Sequence, residues 1–335
     1  MHERLSTGLA RAREWPAGLL VSATVAMAAM FLAGHYGAPV MLFALLLGLA
    51  FAFLHEEGGR CVPGIDLAAS TVLRIGVALL GVRLTFEQIT AFGWTPVLIV
   101  ICAVTATVAF GLLAARLFGL RNQLGLISGG AVAICGASAA LALASVLPRN
   151  ERVQPDTILV VVGVTTLSTI AMVVYPVIPL LLEFDDTAAG YFLGATIHDV
   201  AQVVGAGYSI SDEAGDVSTF VKLLRVAMLL PVVFAVLLVL RWRGGAGEGG
   251  GAPVPLFLVV FAILVGVNSM GWLAPVVQET ISDISRWCLV TAIAALGMKT
   301  SLRSLFNVGL RPVALIVAET LFIAGLALGL ILALV

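Results

Sequence analysis

The stretch GYFLGATIHDVAQVVGAGY, residues 190–208, is mostly small and apolar, yet it carries His198 and Asp199 side by side at its centre and Gln202 one helical turn on. In a bilayer, a charged side chain at the middle of a regular helix costs at least ~2.5–3.5 kcal/mol on insertion scales. Adjacent residues of a regular helix point about 100° apart, so the pair does not share one face. A break in the helix relaxes that constraint. Irregular backbone at such a depth is tolerated only where protein or a water-filled cavity covers it. The stretch is therefore read as a broken or re-entrant segment near a midplane site.

A second stretch has the same character. GLISGGAVAICGASAALALAS, residues 125–145, holds Gly129, Gly130 and Gly136, which are poor helix residues, together with small polar Ser128, Cys135 and Ser138. A helix packed closely through small residues is one reading. The other is a break near Gly136, which leaves backbone N–H groups free at the start of a half-helix, with the positive end of its dipole toward a cavity. The two stretches share a faint pattern, GGAVAICGASAA (129–140) against LGATIHDVAQVV (193–204), which favours the break.

Composition sets the class. The 335 residues are 61% hydrophobic and only 11% charged, less than half of the roughly 25% usual in soluble domains. Such a chain is a polytopic membrane protein embedded in the lipid bilayer. A net charge of −1 gives no basic field for nucleic acid. Cys61, Cys102, Cys135 and Cys288 are far apart and form no CxxC, which fits neither a disulfide framework nor a zinc site. Residues 1–14, with three arginines ahead of an apolar run, read as the lead-in to a retained first span rather than a signal peptide.

Apolar segments lie at 16–33, 37–54, 71–85, 94–115, 124–146, 156–182, 187–210, 219–240, 254–270, 284–298 and 312–335, so nine to eleven membrane segments are expected, with 71–85 and 284–298 short. GGAGEGGGA (244–252) is a flexible cytoplasmic linker, and the whole chain reads as one transporter domain. An internal repeat relates halves at roughly 37–146 and 187–335. APVMLF (38–43) matches APVPLF (252–257), and GVALLGVRLTFEQITAFGWTP (76–96) aligns with AIAALGMKTSLRSLFNVGLRP (292–312) at nearly the same offset. An odd number of segments separates each matched pair, so the repeat is expected to be inverted, as in secondary transporters. Arginine and lysine placement puts the N-terminus in the cytoplasm. If 124–146 dips in and returns, Arg149 and Arg152 lie inside and the loop EFDD (183–186) outside. The two glycine-rich segments then enter from opposite faces and meet at the midplane; broken helices that cross fully are the alternative.

The expected substrate-binding residues are Gly136, Ala137, Ser138, Gly194, His198, Gln202 and Arg74, with His198 and Asp199 coupling protonation to the cycle. Histidine changes charge near neutral pH, which suits it to proton coupling. Gln202 supplies a neutral donor, and Arg74 a bidentate grip on an oxyanion. Lys222 and Arg225 are read as interfacial anchors, Asn268 as a bond to a neighbouring helix, and Thr165, Thr166 and Ser168 as returning hydrogen bonds to their own helix. No HExxH, GxSxG, Walker loop or acidic metal cluster is present, so neither an enzyme nor a cofactor or metal is expected.

GVALLGVRLT (76–85), ICGASAA (134–140), GATIHDVAQVVGAGY (194–208) and AIAALGM (292–298) resemble the bacterial inner-membrane family proposed to export sulfate, over roughly residues 20–335. The resemblance implies a multi-pass inner-membrane transporter, with sulfate or a related small oxyanion such as a sulfonate as its substrate. The expectation is a secondary exporter of such an anion, working by alternating access and able to form a homo-oligomer. A cation/proton antiporter using Asp199 is the first alternative. Asp199 is read as the only carboxylate well inside the apolar segments, which disfavours a two-carboxylate cation site. An intramembrane enzyme built on Ser138 or Cys135 is the second alternative.

Overall fold

The computed structural model describes residues 15–36, 39–56, 59–148, 151–242, 256–300 and 310–334; the linker at 244–252 lies outside them. The architecture is all-α. In chain order the principal helices are α1 Trp15–Tyr36, α2 Val40–Ala50, α3 Val62–Arg83, α4 Thr95–Leu117, α5 Asn122–Ala133, α6 Ala137–Val146, α7 Val153–Val174, α8 Asp186–Thr196, α9 Val200–Gly207, α10 Asp212–Ala227, α11 Leu229–Trp242, α12 Leu256–Ser269, α13 Pro275–Lys299 and α14 Leu310–Leu334. Among the described residues, seven helical stretches are long and apolar enough to cross a bilayer. This is a polytopic membrane protein. The chain forms two compact units, Met1–Thr90 with Leu256–Ser301 and Ala91–Pro255 with Leu302–Val335. Each unit combines two stretches that are separate in the sequence.

The first unit packs α1, α2, α3, α12 and α13. The segments expected to be short, 71–85 and 284–298, are the later parts of two long helices, α3 and α13. Polar residues upstream do not end these helices, because they find partners. The Asp66 carboxylate accepts from Lys299 Nζ at 2.7 Å and stands 3.2 Å from His55 Nε2. Ser285 donates to the Gly76 carbonyl at 2.7 Å and Gln278 to the Val82 carbonyl at 2.9 Å. Residue numbers rise along α3 as they fall along α13, so residues 71–83 and 284–298 run antiparallel. Hydrogen bonds of this kind in a bilayer contribute about 1 kcal/mol each. Where α2 meets α13, a Cβ on Gly48 would strike the Ala294 carbonyl and one on Gly297 the Leu45 carbonyl, so glycine alone permits this approach. Asn268 donates to the Leu84 carbonyl at 3.1 Å, the interhelical bond expected of it.

In the second unit both glycine-rich segments are broken, and each folds back on itself. At Gly136 the chain takes φ +62°, a left-handed value open to glycine. Leu143 of α6 then lies against Gly130 of α5. These residues are nearly equidistant from the break, so α5 and α6 form a re-entrant hairpin rather than a kinked crossing helix. Arg121, just before α5, grips Asp156 of α7 with Nη2 at 3.0 and 2.9 Å from the two carboxylate oxygens. The chain has thus returned to the end of the unit from which it entered.

The second hairpin, α8 and α9, turns at Ile197–Asp199. Gly190 of α8 packs on Ala214 and Val217 of α10, and Gly207 of α9 packs on Gly215 and Ser218, the same level of α10. The Asp185 carboxylate caps α8 by accepting from Ala188 N at 2.7 Å, and Ser211 caps α10 by accepting from Ala214 N at 3.0 Å. Between the two hairpins lies the full length of α7 and its continuation, Val153–Leu181. The hairpins therefore enter from opposite ends of the unit, as the dipping arrangement requires. Their helices are enclosed: almost every residue of α5 from Leu124, of α8 from Ala188 and of α9 is buried. An apolar core of Ala103, Ile127, Ala131, Val160, Val164 and Ile316 surrounds the first hairpin.

One labelling experiment checks this topology. In a background lacking the four native cysteines, single cysteines replacing Asn122 and Glu151, at the two ends of the α5–α6 hairpin, should react with an impermeant maleimide from the same side of the membrane, and one replacing Glu183 from the opposite side. Reaction of residues 122 and 151 from opposite sides would require α5–α6 to cross fully.

Candidate functional site: the meeting of two re-entrant tips

The two tips touch. A Cβ built on Gly136 would lie 3.7 Å from the His198 carbonyl. At each tip one half-helix ends and another begins. The ends of α5 and α8 present carbonyls without helical partners, and the starts of α6 and α9 present free N–H groups.

Two fully buried cations on α10 answer the carbonyls. Lys222 Nζ donates to Ile134 O at 2.6 Å, Ile197 O at 2.9 Å and His198 O at 2.6 Å. Arg225 donates from Nε to Ala133 O at 2.8 Å, from Nη1 to Gly194 O and Ile197 O at 3.0 Å each, and from Nη2 to Val132 O at 2.7 Å. The two side chains thus bridge both tips. They also set positive charge against the negative ends of two helix dipoles. Their reading as interfacial anchors is corrected. Lys222 and Arg225 are three residues apart on one face of α10, a spacing visible in DVSTFVKLLRVAM. What the sequence did not reveal is that both hairpin tips end against that face.

The expected site residues fall as follows. Gly136 caps α6, Ala137 is its first residue, and Ser138 is exposed there. Ser138 Oγ lies 2.8 Å from Cys135 Sγ and donates to the Cys135 carbonyl at 3.2 Å. Gly194 lies within α8 and contributes a carbonyl to Arg225; the second half-helix begins instead at Val200, with Asp199 as its cap. Asp199 caps α9 through a 2.7 Å bond from Val200 N, while its own N–H donates to Ser168 Oγ at 3.0 Å. Ser168 therefore serves the hairpin as an acceptor, whereas Thr165 and Thr166 bond back within α7 as expected. His198 is fully buried, with Nε2 2.9 Å from Thr320 Oγ1 on α14. Its Nδ1 has no partner of good hydrogen-bond geometry, although the ring stands near the Thr196 and Val132 carbonyls. Gln202 Nε2 reaches Thr169 Oγ1 at 3.5 Å, and its Oε1 is unpartnered. Arg74 is exposed on α3 in the first unit.

One carboxylate escaped the sequence reading. Glu319, near the middle of α14, is fully buried and accepts from Ser128 at 2.7 Å. Asp199 is therefore not the only carboxylate within the apolar segments, and the argument against a cation site that rested on that count falls. A search of TLFIAGL and its neighbours for ionisable residues would have found Glu319 as it found Asp199. Among the described residues, no three histidine, cysteine or acidic side chains are grouped to hold a metal ion.

At the meeting point two buried cations thus face one carboxylate, Asp199, which lies close enough to Lys222 to act on it electrostatically. The start of α6 is exposed at Ser138, while α9 is buried and its first N–H groups are taken by Ser168 and the Asp199 carboxylate.

Replacing Lys222 by Met removes the recorded donor from the Ile134 and His198 carbonyls. Each buried carbonyl left unpaired costs about 1–3 kcal/mol, so a marked fall in thermal stability and folded yield is expected in detergent. Wild-type stability in Lys222→Met would contradict the bridging role.

Comparison with known proteins agrees with the membrane architecture. The family model described as Conserved hypothetical protein 698 matches residues 17–316. A UPF0324 membrane protein of Chlorobaculum tepidum is 54% identical over 93% of this chain and 88% of its own length. A UPF0324 membrane protein of Rhizobium meliloti is 56% identical over 92% and 90%. The UPF0324 membrane protein TauZ of Paracoccus denitrificans is 51% identical over 92% of each chain. With the family model covering most of the chain and relatives matched nearly end to end, this protein belongs to the UPF0324 family of bacterial membrane proteins.

Proposed function

We propose that the protein is a secondary transporter of the bacterial inner membrane that exports a small oxyanion, such as sulfate or a sulfonate, by alternating access. The observation that carries this reading is the charge at the meeting of the hairpins: Lys222 and Arg225, both fully buried, against the single carboxylate of Asp199. All the recorded hydrogen bonds of the two cations go to carbonyls, so they act on a substrate through their field. Contact falls to the backbone N–H groups at the starts of α6 and α9, which suit an anion by geometry and dipole. Ser138 adds a neutral polar group at the start of α6, and Gln202 another within α9. An inverted repeat supports alternating access, because it lets the two halves exchange roles about a fixed site. The antiparallel run of α3 and α13 and the opposed entry of the two hairpins are what such a repeat would produce. Cytoplasmic placement of the N-terminus follows from the arginine distribution.

Asp199 distinguishes the anion reading from the cation/proton alternative. Flux of radiolabelled sulfate, a small sulfonate, sodium and rubidium should be measured in proteoliposomes for wild type and Asp199→Asn. The expected result is oxyanion flux in both, since the substitution removes a negative charge from an anion site while an amide oxygen still caps α9. Alkali-cation flux in the wild type, abolished in Asp199→Asn, would overturn the proposal.

A further inference from the structure

The reading above leaves a proton step to His198 and Asp199. Asp199 is occupied as the cap of α9, and the His198 ring bonds to Thr320. Resting on the proposed transport function, we infer that the proton site is Glu319, in a slot between α4, α5 and α14.

The slot is built of residues that suit a carboxyl and little else. α4 and α5 cross at backbone contact, and a Cβ on Gly111 would stand 2.7 Å from both Glu319 Oε1 and the Gly125 carbonyl. Gly129 faces the same crossing: its Cβ would lie 3.2 Å from Gly111 Cα and from the Thr107 carbonyl. Alanine at residue 111 would press directly on the carboxyl oxygen. Into the space left by these glycines α14 inserts Glu319, about 14 Å along the helix from its start. Oε1 accepts from Ser128. Oε2 is buried without a partner, and so is Thr107 Oγ1, one turn from Gly111 on α4. Two orphaned oxygens in one buried layer are unusual, because buried polar groups are nearly always bonded.

No recorded cation balances the carboxyl. The helices packed against α14 are α4, α5, α7 and α8. On α4 the ionisable groups are Cys102, which is exposed, and Arg116, whose Nε bonds Asn122. α5 contains none, and Arg121 before it is paired with Asp156 of α7. α8 brings Asp186 at its start and Tyr191, which donates to the Phe92 carbonyl. His198 follows α8 and bonds Thr320 of α14. Lys222 and Arg225 are committed to the hairpin tips. An ionised Glu319 would therefore be an uncompensated charge in the protein interior. A proton on Oε2 removes that charge and converts the orphaned acceptor into a donor. When the layer opens to water, hydration makes the carboxylate affordable and the proton leaves.

The placement ties protonation to the hairpins. Ser128 belongs to α5, whose C-terminal carbonyls are held by Arg225. Thr320, the next residue of α14, holds His198 at the other tip. Charging or discharging Glu319 thus acts on the contact between α14 and α5, and the neighbouring residue of the same helix reaches the second hairpin.

The test has one arm that needs no substrate. Infrared difference spectra of the wild-type protein in lipid, titrated over pH, should show a carbonyl stretch of a protonated carboxylic acid that shifts in deuterium oxide. The titrating band should be absent in Glu319→Gln and displaced in Glu319→Asp. In proteoliposomes, Glu319→Gln should lose the dependence of sulfate flux on a pH gradient while retaining sulfate–sulfate exchange, and Glu319→Asp should restore part of it. A titrating band that persists in Glu319→Gln, or gradient dependence that survives there, overturns the assignment and returns the step to His198. Loss of the band on adding sodium, at fixed pH, marks a metal-cation site and also overturns it. If the wild type carries no sulfate, the transport reading fails, while the infrared arm still decides whether Glu319 binds the proton.

Discussion

Two half-helices that end inside a membrane protein leave carbonyls that neither water nor helix can satisfy. Lys222 and Arg225 resolve that constraint for both hairpins at once. Unpaired backbone at this depth costs several kcal/mol per group, and two buried cations without acceptors would be no better placed. Each deficit answers the other. The arrangement holds Ile134, His198 and their neighbours in fixed positions, so the free N–H groups at the starts of α6 and α9 are held in place before any ligand arrives. Preorganised donors of this kind lose little entropy on binding.

On the proposed reading, the charge arrangement also sets the sign of what binds. Carbonyl ends absorb part of the positive field, and Asp199 absorbs more, but the starts of α6 and α9 add positive potential on the open side, where Ser138 is exposed. On that reading, the two cations and the dipoles of α6 and α9 favour an oxyanion over a cation. Glu319 stands apart from this balance, on the other side of Thr320 and in a layer with no recorded counter-charge, so its protonation changes the packing of α14 without entering the anion site.

Much of this was legible in the sequence, for physical reasons. Gly136 announced its break because a left-handed turn needs glycine, and His198–Asp199 announced theirs because an ionisable pair does not sit in a regular apolar helix. Arg149, Arg152 and the acidic loop at 183–186 carried the orientation of the hairpins. Lys222 and Arg225 were not legible as bridging cations, since residues near the start of an apolar segment usually reach for the interface; only the tertiary fold shows that α10 begins at Asp212 and that its later half lies against both hairpin tips. Gly194 was misplaced as a helix start because sequence pattern locates a break only to within a few residues, and the turn falls at Ile197–Asp199. Glu319 was legible and overlooked: a lone glutamate in a long apolar run carries the same cost as Asp199.

The central claim is that the bridged hairpin tips form an anion site. Crystals soaked in selenate and measured at the selenium absorption edge test it most directly. The account predicts one anomalous peak between the starts of α6 and α9, within hydrogen-bond reach of the backbone at Ala137–Ser138 and of the first turn of α9 beyond Val200. A fully occupied peak elsewhere in the membrane-embedded part, with none at the tips, would contradict it.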